Sequence, residues 1–317
     1  MDADPLVSVV IPTYNNPAMS AEAVESVLAQ TYPAREIIVV DDGSTEDIAP
    51  LAAYEDRIQL IRNEHAGPAV ARNAGLRAAK GQVFAFLDSD DLWMPAKLER
   101  CVAALREHPE AGVIYTAVRI HELDTGARYL LPQYTMNGRM ARALFVECRG
   151  VNTSTLVVRR KCLQKAGPFD EELFRAQDWD LMIRLAEACE YRRVPEPLTE
   201  RRLHAGSLSV RRADLYAKYN LMVIRKAVAR RPDLYQDLEA RSLAHAHYRF
   251  GLAHYGAFRL CEARREFRSS LGYRASLPAM NYYLRACLPT PTVRALRALR
   301  LRGASRESVS PGERSDG

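Results

Sequence analysis

The sequence is poor in long apolar segments and in clustered cysteines. No window reaches the roughly 18 uninterrupted apolar residues of a membrane-spanning helix, and the opening MDADPLVSVV is acidic where a secretory signal peptide is basic. The six cysteines form no CxxC pair, which argues against a zinc knuckle or a disulfide framework. We therefore expect a cytoplasmic protein whose cysteines are reduced thiols.

Other missing patterns argue against some nucleotide-dependent classes. The glycine fingerprint GxGxxG is absent, which argues against a dinucleotide oxidoreductase of the usual kind. The net charge is +6, but the basic residues are interspersed with acids and no nucleic-acid recognition motif occurs. We therefore expect the anionic partner to be a phosphorylated ligand or a membrane surface, and not a nucleic acid.

The order of periodic segments predicts an α/β fold. Short apolar runs that are typical of buried strands alternate with helical patterns, and Ser20 is the expected N-cap of the first helix. Such alternation implies a doubly wound, Rossmann-like sheet that is mainly parallel. The strands predicted in this way are Val7–Pro12, Glu36–Val40, Ile58–Ile61, Val83–Leu87, Val113–Tyr115 and Leu156–Val158.

Polar residues follow the predicted strands at their carboxyl ends, and in a parallel sheet these ends share the edge where ligands bind. Asp88 and Asp90 have the spacing to hold a hard divalent cation or a ribose hydroxyl, although an acidic helix N-cap explains them equally well. Asp41 and Asp42 are placed to accept hydrogen bonds from a ribose or a base, with simple turn formation as the alternative.

The segment NEHAGPAVARNAG adds a second candidate ligand loop. Gly67 and the proline that follows it let the backbone approach a ligand, and Arg72 and Asn73 can reach polar groups from the next helix. A solvated arginine is the alternative for Arg72.

Five motifs occur in a fixed order: SVVIPTYNN, EIIVVDDGSTED, GPAVARNAG, FLDSDD and QDWDL. Together they resemble the inverting glycosyltransferases of family 2, which have the GT-A fold, over roughly residues 7 to 210. The resemblance implies a mixed, mainly parallel sheet, a nucleotide-sugar donor, and Mn²⁺ or Mg²⁺ as cofactor. It assigns residues 1–212 to a GT-A domain, with a nucleotide-sugar half at 1–110 and an acceptor half at 111–212.

The resemblance also implies roles for single residues. A metal held by Asp90 and His204 would neutralise the charge that develops on the leaving diphosphate, and Asp88 would face the ribose. The residues assigned to the nucleotide sugar are Pro12, Tyr14, Asn15, Asp41, Asp42, Gly67, Arg72, Asn73 and Asp88.

The same resemblance places the catalytic base at Asp178, at the start of a helix. The residue before the base is commonly Glu in the family, and here it is Gln177, which keeps the hydrogen-bonding shape but drops a charge. A helix N-terminal acid is the alternative for Asp178. Nearby basic residues either attract phosphate or form a solvated loop: Arg201, Arg202, Arg211 and Arg212. We expect Trp93 and Trp179 to be packing residues.

These features predict an inverting transfer of a sugar from a nucleoside-diphosphate sugar to the hydroxyl of a saccharide, lipid-linked or protein acceptor, in polysaccharide, glycolipid or other glycoconjugate synthesis such as that of the cell envelope. A catalytically idle nucleotide-sugar-binding protein with a helical partner-docking tail is the alternative. A nucleotidyltransferase is disfavoured, because the loop PTYNNPAMS after the first strand has no basic residue.

The remaining sequence is predicted to be an α-helical extension over residues 213–302, followed by a disordered tail at 303–317. Tyr248, Gly251 and Phe267 belong to a pattern like one tetratricopeptide-type hairpin. The stretch TVRALRALRLR has four arginines and no acid, so it could lie on the anionic cytoplasmic face of a membrane, although its leucines segregate only partly from the arginines.

Overall fold

A computed structural model of the chain describes residues 4–131, 137–147, 151–204 and 213–294, with the backbone alone described at 213–217. In this part of the chain, strands β1 to β9 are Val7–Thr13, Arg35–Asp41, Gln59–Arg62, Val83–Phe86, Leu92–Trp93, Ala111–Glu122, Arg128–Leu130, Leu156–Arg159 and Glu190–Leu203. Helices α1 to α12 are Pro17–Leu28, Ala49–Ala52, Pro68–Ala78, Lys97–Glu107, Ala141–Val146, Arg160–Ala166, Gln177–Ala188, Ala213–Arg230, Pro232–Tyr235, Glu239–Gly256, Leu260–Tyr273 and Leu277–Ala286. Short 3₁₀ turns cover Thr153–Thr155 and Gln236–Leu238.

The strands form one mixed sheet in the order β3-β2-β1-β4-β8-β6-β9-β5, and β7 pairs with β6 beside this path. Strand β1 is parallel to β2 and to β4, and β2 is parallel to β3, so the carboxyl ends of these strands share one edge. Strand β8 is antiparallel to both β4 and β6, which makes the sheet mixed. The predicted α/β sheet with a parallel first half and a helical C-terminal region is confirmed.

Strand β1 is buried because helices cover both faces of the sheet. Val9 and Ile11 belong to the main core cluster together with Val24 and Val27 of α1. The alternate face meets α3, where a Cβ added to Gly75 would lie 2.5 Å from Val10 Cγ1. An apolar run without alternation is thus the pattern of a strand between two helical layers.

The start of the first helix differs from the prediction. Helix α1 begins at Pro17, so Ser20 lies inside the helix and is not its N-cap. The Ser20 hydroxyl donates to the carbonyl of Asn16 at 2.5 Å and lies 2.6 Å from Thr13 Oγ1. Proline is favoured in the first helical turn because its missing N–H has no intrahelical partner there, which explains the earlier start.

The expectation that all cysteines are reduced is wrong for one pair. Cys162 of α6 and Cys189, directly after α7, form a disulfide across 27 residues of sequence. Gly112 makes room for it, since a Cβ at this position would lie 2.1 Å from Cys162 Sγ. Spacing alone missed the pair because the contact arises from the packing of α6 beside α7. Cys101, Cys261 and Cys287 are free thiols, and Cys148 lies outside the described residues.

The chain divides into two compact units, residues 1–239 and residues 240–317. The first unit includes α8 and α9, which the sequence expectation placed in the helical extension. In the second unit α10 and α11 form a helical hairpin, in which Ser270 Oγ donates to the carbonyl of Ala244 at 2.8 Å. A Cβ on Gly251 would lie 2.4 Å from the Phe267 ring, so the glycine permits close helix packing. None of the helices within the described ranges is long and apolar enough to cross a bilayer.

Candidate active site

The loops after β1 and β2 meet at the parallel edge of the sheet. Asn15, in the left-handed region at φ 47°, accepts a hydrogen bond from Thr45 N at 2.8 Å, and its own N–H donates to Ser44 Oγ at 2.9 Å. The Asn15 amide therefore ties the two loops together. Pro12, also predicted to bind the nucleotide, lies in β1 opposite Val40 of β2.

Asp41 and Asp42 are both buried, and each accepts hydrogen bonds from nearby donors. Asp41 is fully buried and accepts from Ser44 N at 3.1 Å and from Arg62 Nε at 3.2 Å. Asp42 accepts from Gly67 N at 2.9 Å, and so fixes the loop before α3. The two carboxylates thus hold the loops at this edge of the sheet, and the nucleotide-binding role predicted for them stays a prediction.

An aromatic pair stands beside these acids. The rings of Tyr14 and His65 stack with centroids 4.0 Å apart and an interplanar angle of 21°. His65 Nδ1 lies 2.9 Å from Asp42 Oδ2, and Tyr14 is 43% exposed. An exposed ring held in this way is a surface on which a planar base can stack. Sequence reasoning included His65 only within a motif and did not assign it a role.

Arg72 and Asn73, the two predicted site residues of helix α3, contact different segments of the chain. The Arg72 guanidinium donates to Asp88 Oδ1 at 2.6 Å, and the arginine side chain is only 6% exposed. Asn73 instead donates to the carbonyl of Phe169 at 2.9 Å and accepts from Phe169 N at 2.9 Å. Arg72 therefore lies at the acidic loop, whereas Asn73 anchors the segment that leads to α7.

The buried hydroxyl of Ser154 holds the acidic loop after β4. Ser154 Oγ accepts a hydrogen bond from Asp88 N at 3.1 Å and donates to Asp91 Oδ2 at 2.6 Å. Burial and the charges of Asp90 and Asp88 raise the pKa of the Asp91 carboxyl. Asp91 is thus an internal anchor, and Ser154, which sequence reasoning missed, connects the acidic loop with the second half of the domain.

Arg202 of β9 also anchors this loop. Its backbone N–H donates to Asp91 Oδ1 at 3.1 Å, its Nε donates to the carbonyl of Asp90 at 2.5 Å, and it forms an ion pair with Glu22. Arg202 is buried, so neither a solvated loop nor a free phosphate contact describes it. Arg201 and Arg202 are consecutive in a strand, so side-chain alternation could have predicted that they lie on opposite faces of the sheet. Arg211 and Arg212 lie outside the described residues.

Asp90 and His204 are neighbours, with 3.5 Å between Asp90 Oδ2 and His204 Nε2. Burial and the neighbouring Asp88 raise the pKa of Asp90, while His204 and Arg201 oppose the shift. The described residues contain no group of three or more His, Cys, Asp or Glu side chains with the geometry of a metal site. A carboxylate and an imidazole still fit Mg²⁺ or Mn²⁺, because such ions in nucleotide sites take their remaining ligands from phosphates and water.

Asp178, at the start of α7, lies near enough to Arg72 and Asp88 to interact with their charges. Ala176, the residue before α7, adopts left-handed backbone at φ 58°, and Trp179 N donates to Asp178 Oδ1 at 2.8 Å. Burial raises the pKa of Asp178, the positive charge of Arg72 opposes this shift, and the charge of Asp88 adds to it. Residues that are far apart in the sequence therefore act on one another here.

The two tryptophans near the site are packing residues, as expected. Trp93 Nε1 donates to the carbonyl of Ser154 at 2.8 Å, Trp179 Nε1 donates to the carbonyl of Leu144 at 2.7 Å, and both indoles are buried. Gln177 is also buried, and its Oε1 has no hydrogen-bond partner among the described residues.

The mixed sheet with its helices has a GT-A type of fold, which the similarity to solved structures shows. Staphylococcus aureus TarS matches with a TM-score of 0.62 at 18% identity, covering 92% of this chain and 53% of that one. The mannosyltransferase PcManGT of Pyrobaculum calidifontis, solved with GDP-Man and Mn²⁺, matches with a TM-score of 0.58 at 21% identity, covering 97% and 88%.

The sequence relationship identifies the family. The model "Glycosyl transferase family 2" matches residues 8–167, about half of the chain. An uncharacterized glycosyltransferase of Rickettsia prowazekii is 32% identical over 64% of this chain and 65% of its own length, so the chain spans slightly less than two thirds of that relative. The chain belongs to glycosyltransferase family 2.

Proposed function

We propose that the enzyme transfers a sugar, with inversion, from a nucleoside-diphosphate sugar to an acceptor hydroxyl. The observation that carries this proposal is the convergence of Asp178 with Arg72 and Asp88. These side chains come from three separate segments, and they combine a base with the loop that would hold the donor. Such a pairing is what a direct displacement at a sugar carbon requires.

The donor would be bound along the parallel edge of the sheet. Tyr14 would offer a stacking surface for the base, and Asp88 would contact the ribose, while the buried Asp41 would support the nucleoside from the loop that it fixes. Asp90 and His204 are the residues that would hold Mn²⁺ or Mg²⁺, which when bound stabilises the negative charge of a leaving diphosphate. PcManGT, whose structure contains GDP-Man and Mn²⁺, supports a donor of this class.

Asp178 would act as the general base. It accepts the proton of the acceptor hydroxyl while that oxygen forms a bond to the anomeric carbon. The bond from this carbon to the nucleoside diphosphate breaks on the opposite face, so the configuration inverts. Burial raises the pKa of Asp178, which makes its carboxylate a stronger proton acceptor than an ordinary aspartate. The acceptor would be a saccharide, lipid-linked or protein hydroxyl, in polysaccharide, glycolipid or other glycoconjugate synthesis.

Asp178→Asn and Asp90→Ala test these roles separately. A thermal-shift panel of nucleotide sugars with and without Mn²⁺ first identifies the donor. Asp178→Asn is then expected to lower transfer by about 10²- to 10⁴-fold with donor affinity retained, because only the base is lost. Asp90→Ala is expected to remove the Mn²⁺-dependent part of donor binding. The transfer rate of the wild type should fall at low pH through a pKa above about 3.9, the ordinary aspartate value.

Asp233→Asn is the matched control. Asp233 is also an acid in the first turn of a helix, α9, but it is exposed and paired with Arg231. Transfer by this variant is expected to equal that of the wild type. Full transfer activity in Asp178→Asn would mean that Asp178 is only a helix N-terminal acid.

Nucleotide-sugar binding without transfer is a second candidate function. Gln177 favours it, because the residue before the base is an amide whose buried Oε1 has no partner among the described residues. Mn²⁺-dependent binding of a nucleoside diphosphate, with no transfer to a broad set of acceptors, would support this function. Transfer that Asp178→Asn abolishes would exclude it.

A further inference from the structure

Helix α12 carries an apolar surface that is exposed to solvent. Leu277, Met280 and Leu284 are spaced to lie on one helix face, and they are 88%, 44% and 58% exposed. Leu288, directly after the helix, is 38% exposed and continues the same line. We call these four residues the α12 stripe.

The opposite face of α12 is the one that packs within the helical unit. Ala279 and Ala286 are completely buried, and the Tyr282 ring stacks on Phe267 with centroids 5.8 Å apart. A helix that is apolar on both faces is typical of one that is covered on both. The α12 stripe therefore has the composition of a contact surface, yet no other segment of the described chain covers it.

The sequence around the stripe carries positive charge alone. From Phe267 to Arg306 there is no Asp, Glu or Lys, and the segment contains eight arginines: Arg268, Arg274, Arg285, Arg294, Arg297, Arg300, Arg302 and Arg306. The charge of this segment exceeds the net charge of the whole chain, which is +6. The excess positive charge is thus concentrated in the stretch of sequence that contains the stripe.

A partner for this surface has to offer apolar contact and negative charge together. A bilayer with anionic headgroups does so, because leucine side chains enter the acyl boundary while arginines remain at the headgroups. A nucleic acid would favour exposed aromatic rings for base stacking, and the stripe is aliphatic. A second copy of the chain would bring the same positive charges against each other.

We propose that the α12 stripe docks onto an anionic lipid surface, with its described neighbours in the sequence, Arg274, Arg285 and Arg294, contacting the headgroups. The proposal does not depend on the sugar chemistry, since it concerns the helical unit alone. It extends the membrane contact expected from residues 292–302 to a defined apolar surface on α12.

Vesicle sedimentation of the full chain tests this proposal. Vesicles of phosphatidylcholine mixed with phosphatidylglycerol are expected to bind the wild type, whereas phosphatidylcholine alone binds it weakly, and added salt releases it. Leu277→Gln combined with Leu284→Gln is expected to lower the partition coefficient by roughly a hundredfold, about tenfold for each leucine withdrawn from the apolar boundary. Glutamine is a good helix former, so α12 should persist, and circular dichroism checks this.

Leu130→Gln is the matched control, because Leu130 is 57% exposed on β7, outside the helical unit. This variant should bind vesicles as the wild type does. Unchanged binding by the double variant, or an equal loss in Leu130→Gln, would overturn the proposal. So would a concentration-dependent dimer that the double variant dissociates while vesicles remain unbound, because the stripe would then be covered by a second copy. Deletion of residues 295–317 that abolishes binding while the double variant retains it would place the contact elsewhere.

Discussion

Replacement of Lys97 by methionine is the sharpest stability test that the structure offers. Lys97 is completely buried in α4, and its ammonium donates to Thr155 O at 3.1 Å, Thr116 Oγ1 at 3.3 Å and Thr199 Oγ1 at 3.2 Å. The Trp93 ring lies 5.0 Å from the same nitrogen. Burial lowers the pKa of Lys97 from 10.5 to about 8, because its surroundings solvate the charge less well than water does.

The size of the effect follows from that pKa. A lowering from 10.5 to about 8 corresponds to a cost of about 3 kcal/mol for the charged lysine at neutral pH. Methionine removes this cost at similar volume, but it leaves Thr155 O without its donor, which costs about 1–3 kcal/mol. Thr116 and Thr199 remain paired with each other at 3.0 Å. Lys97→Met is therefore expected to raise the free energy of unfolding at pH 7 by about 0–2 kcal/mol.

The pH dependence gives this prediction its sign. Below about pH 8 both the folded and the unfolded lysine hold the proton, so the cost is fully present. Between about pH 8 and 10.5 the folded state releases the proton while the unfolded state keeps it, and the wild type gains stability relative to the variant. The advantage of Lys97→Met should therefore shrink, or reverse, as the pH rises through this window.

Urea unfolding followed by tryptophan fluorescence, at pH 7 and at about pH 10, measures the difference. Lys80→Met is the control, because Lys80 is exposed and its replacement should give a small, pH-independent change. A loss of more than about 2 kcal/mol at pH 7, with no change in the difference at high pH, would refute the account of Lys97 as a costly buried charge.

Two further predictions concern the aromatic surface and the helical unit. Tyr14→Ala should weaken nucleotide binding about 5- to 150-fold in calorimetry, as expected for the loss of one base-stacking ring, while Tyr14→Phe should bind nearly as the wild type does. Equal affinities for all three proteins would exclude a stacking role. Gly251→Ala should lower the free energy of unfolding by about 1–3 kcal/mol, because its Cβ would lie 2.4 Å from Phe267. Gly272→Ala is the control, because a Cβ at this position meets nothing within 4 Å, and it should not lower the free energy of unfolding. Thermal and urea unfolding measure both variants.

Sequence motifs could predict some residues of the candidate site but not all of them. Each motif marks a strand end, and strand ends are local features of sequence, so Asp41, Asp88 and Asp90 could be placed at one edge once a parallel sheet was expected. The Ser154 hydroxyl has no such signal. Its importance arises only because β8 inserts antiparallel beside β4 and brings the 3₁₀ turn before it under the acidic loop.

Burial decides several roles that residue type leaves open. Arg201 and Arg202 are neighbours of the same type in one strand, yet Arg202 is buried against Asp91 and Glu22. Lys97 looks like an ordinary surface lysine of a helix that begins after a proline, and it is completely buried. Which side of an element faces the core depends on the layer packed against it, and that layer comes from distant sequence.

The sequence by itself determined the family, the order of strands and helices in the parallel half of the sheet, and the residue types at its carboxyl edge. These follow from apolar periodicity and from turn residues, which act over a few positions. Tertiary structure alone decided the start of α1 at Pro17, the disulfide between Cys162 and Cys189, and the buried contacts of Arg202. It also decided which face of α12 is exposed. The physical reason is that desolvation and contact between distant segments exist only after the chain has folded.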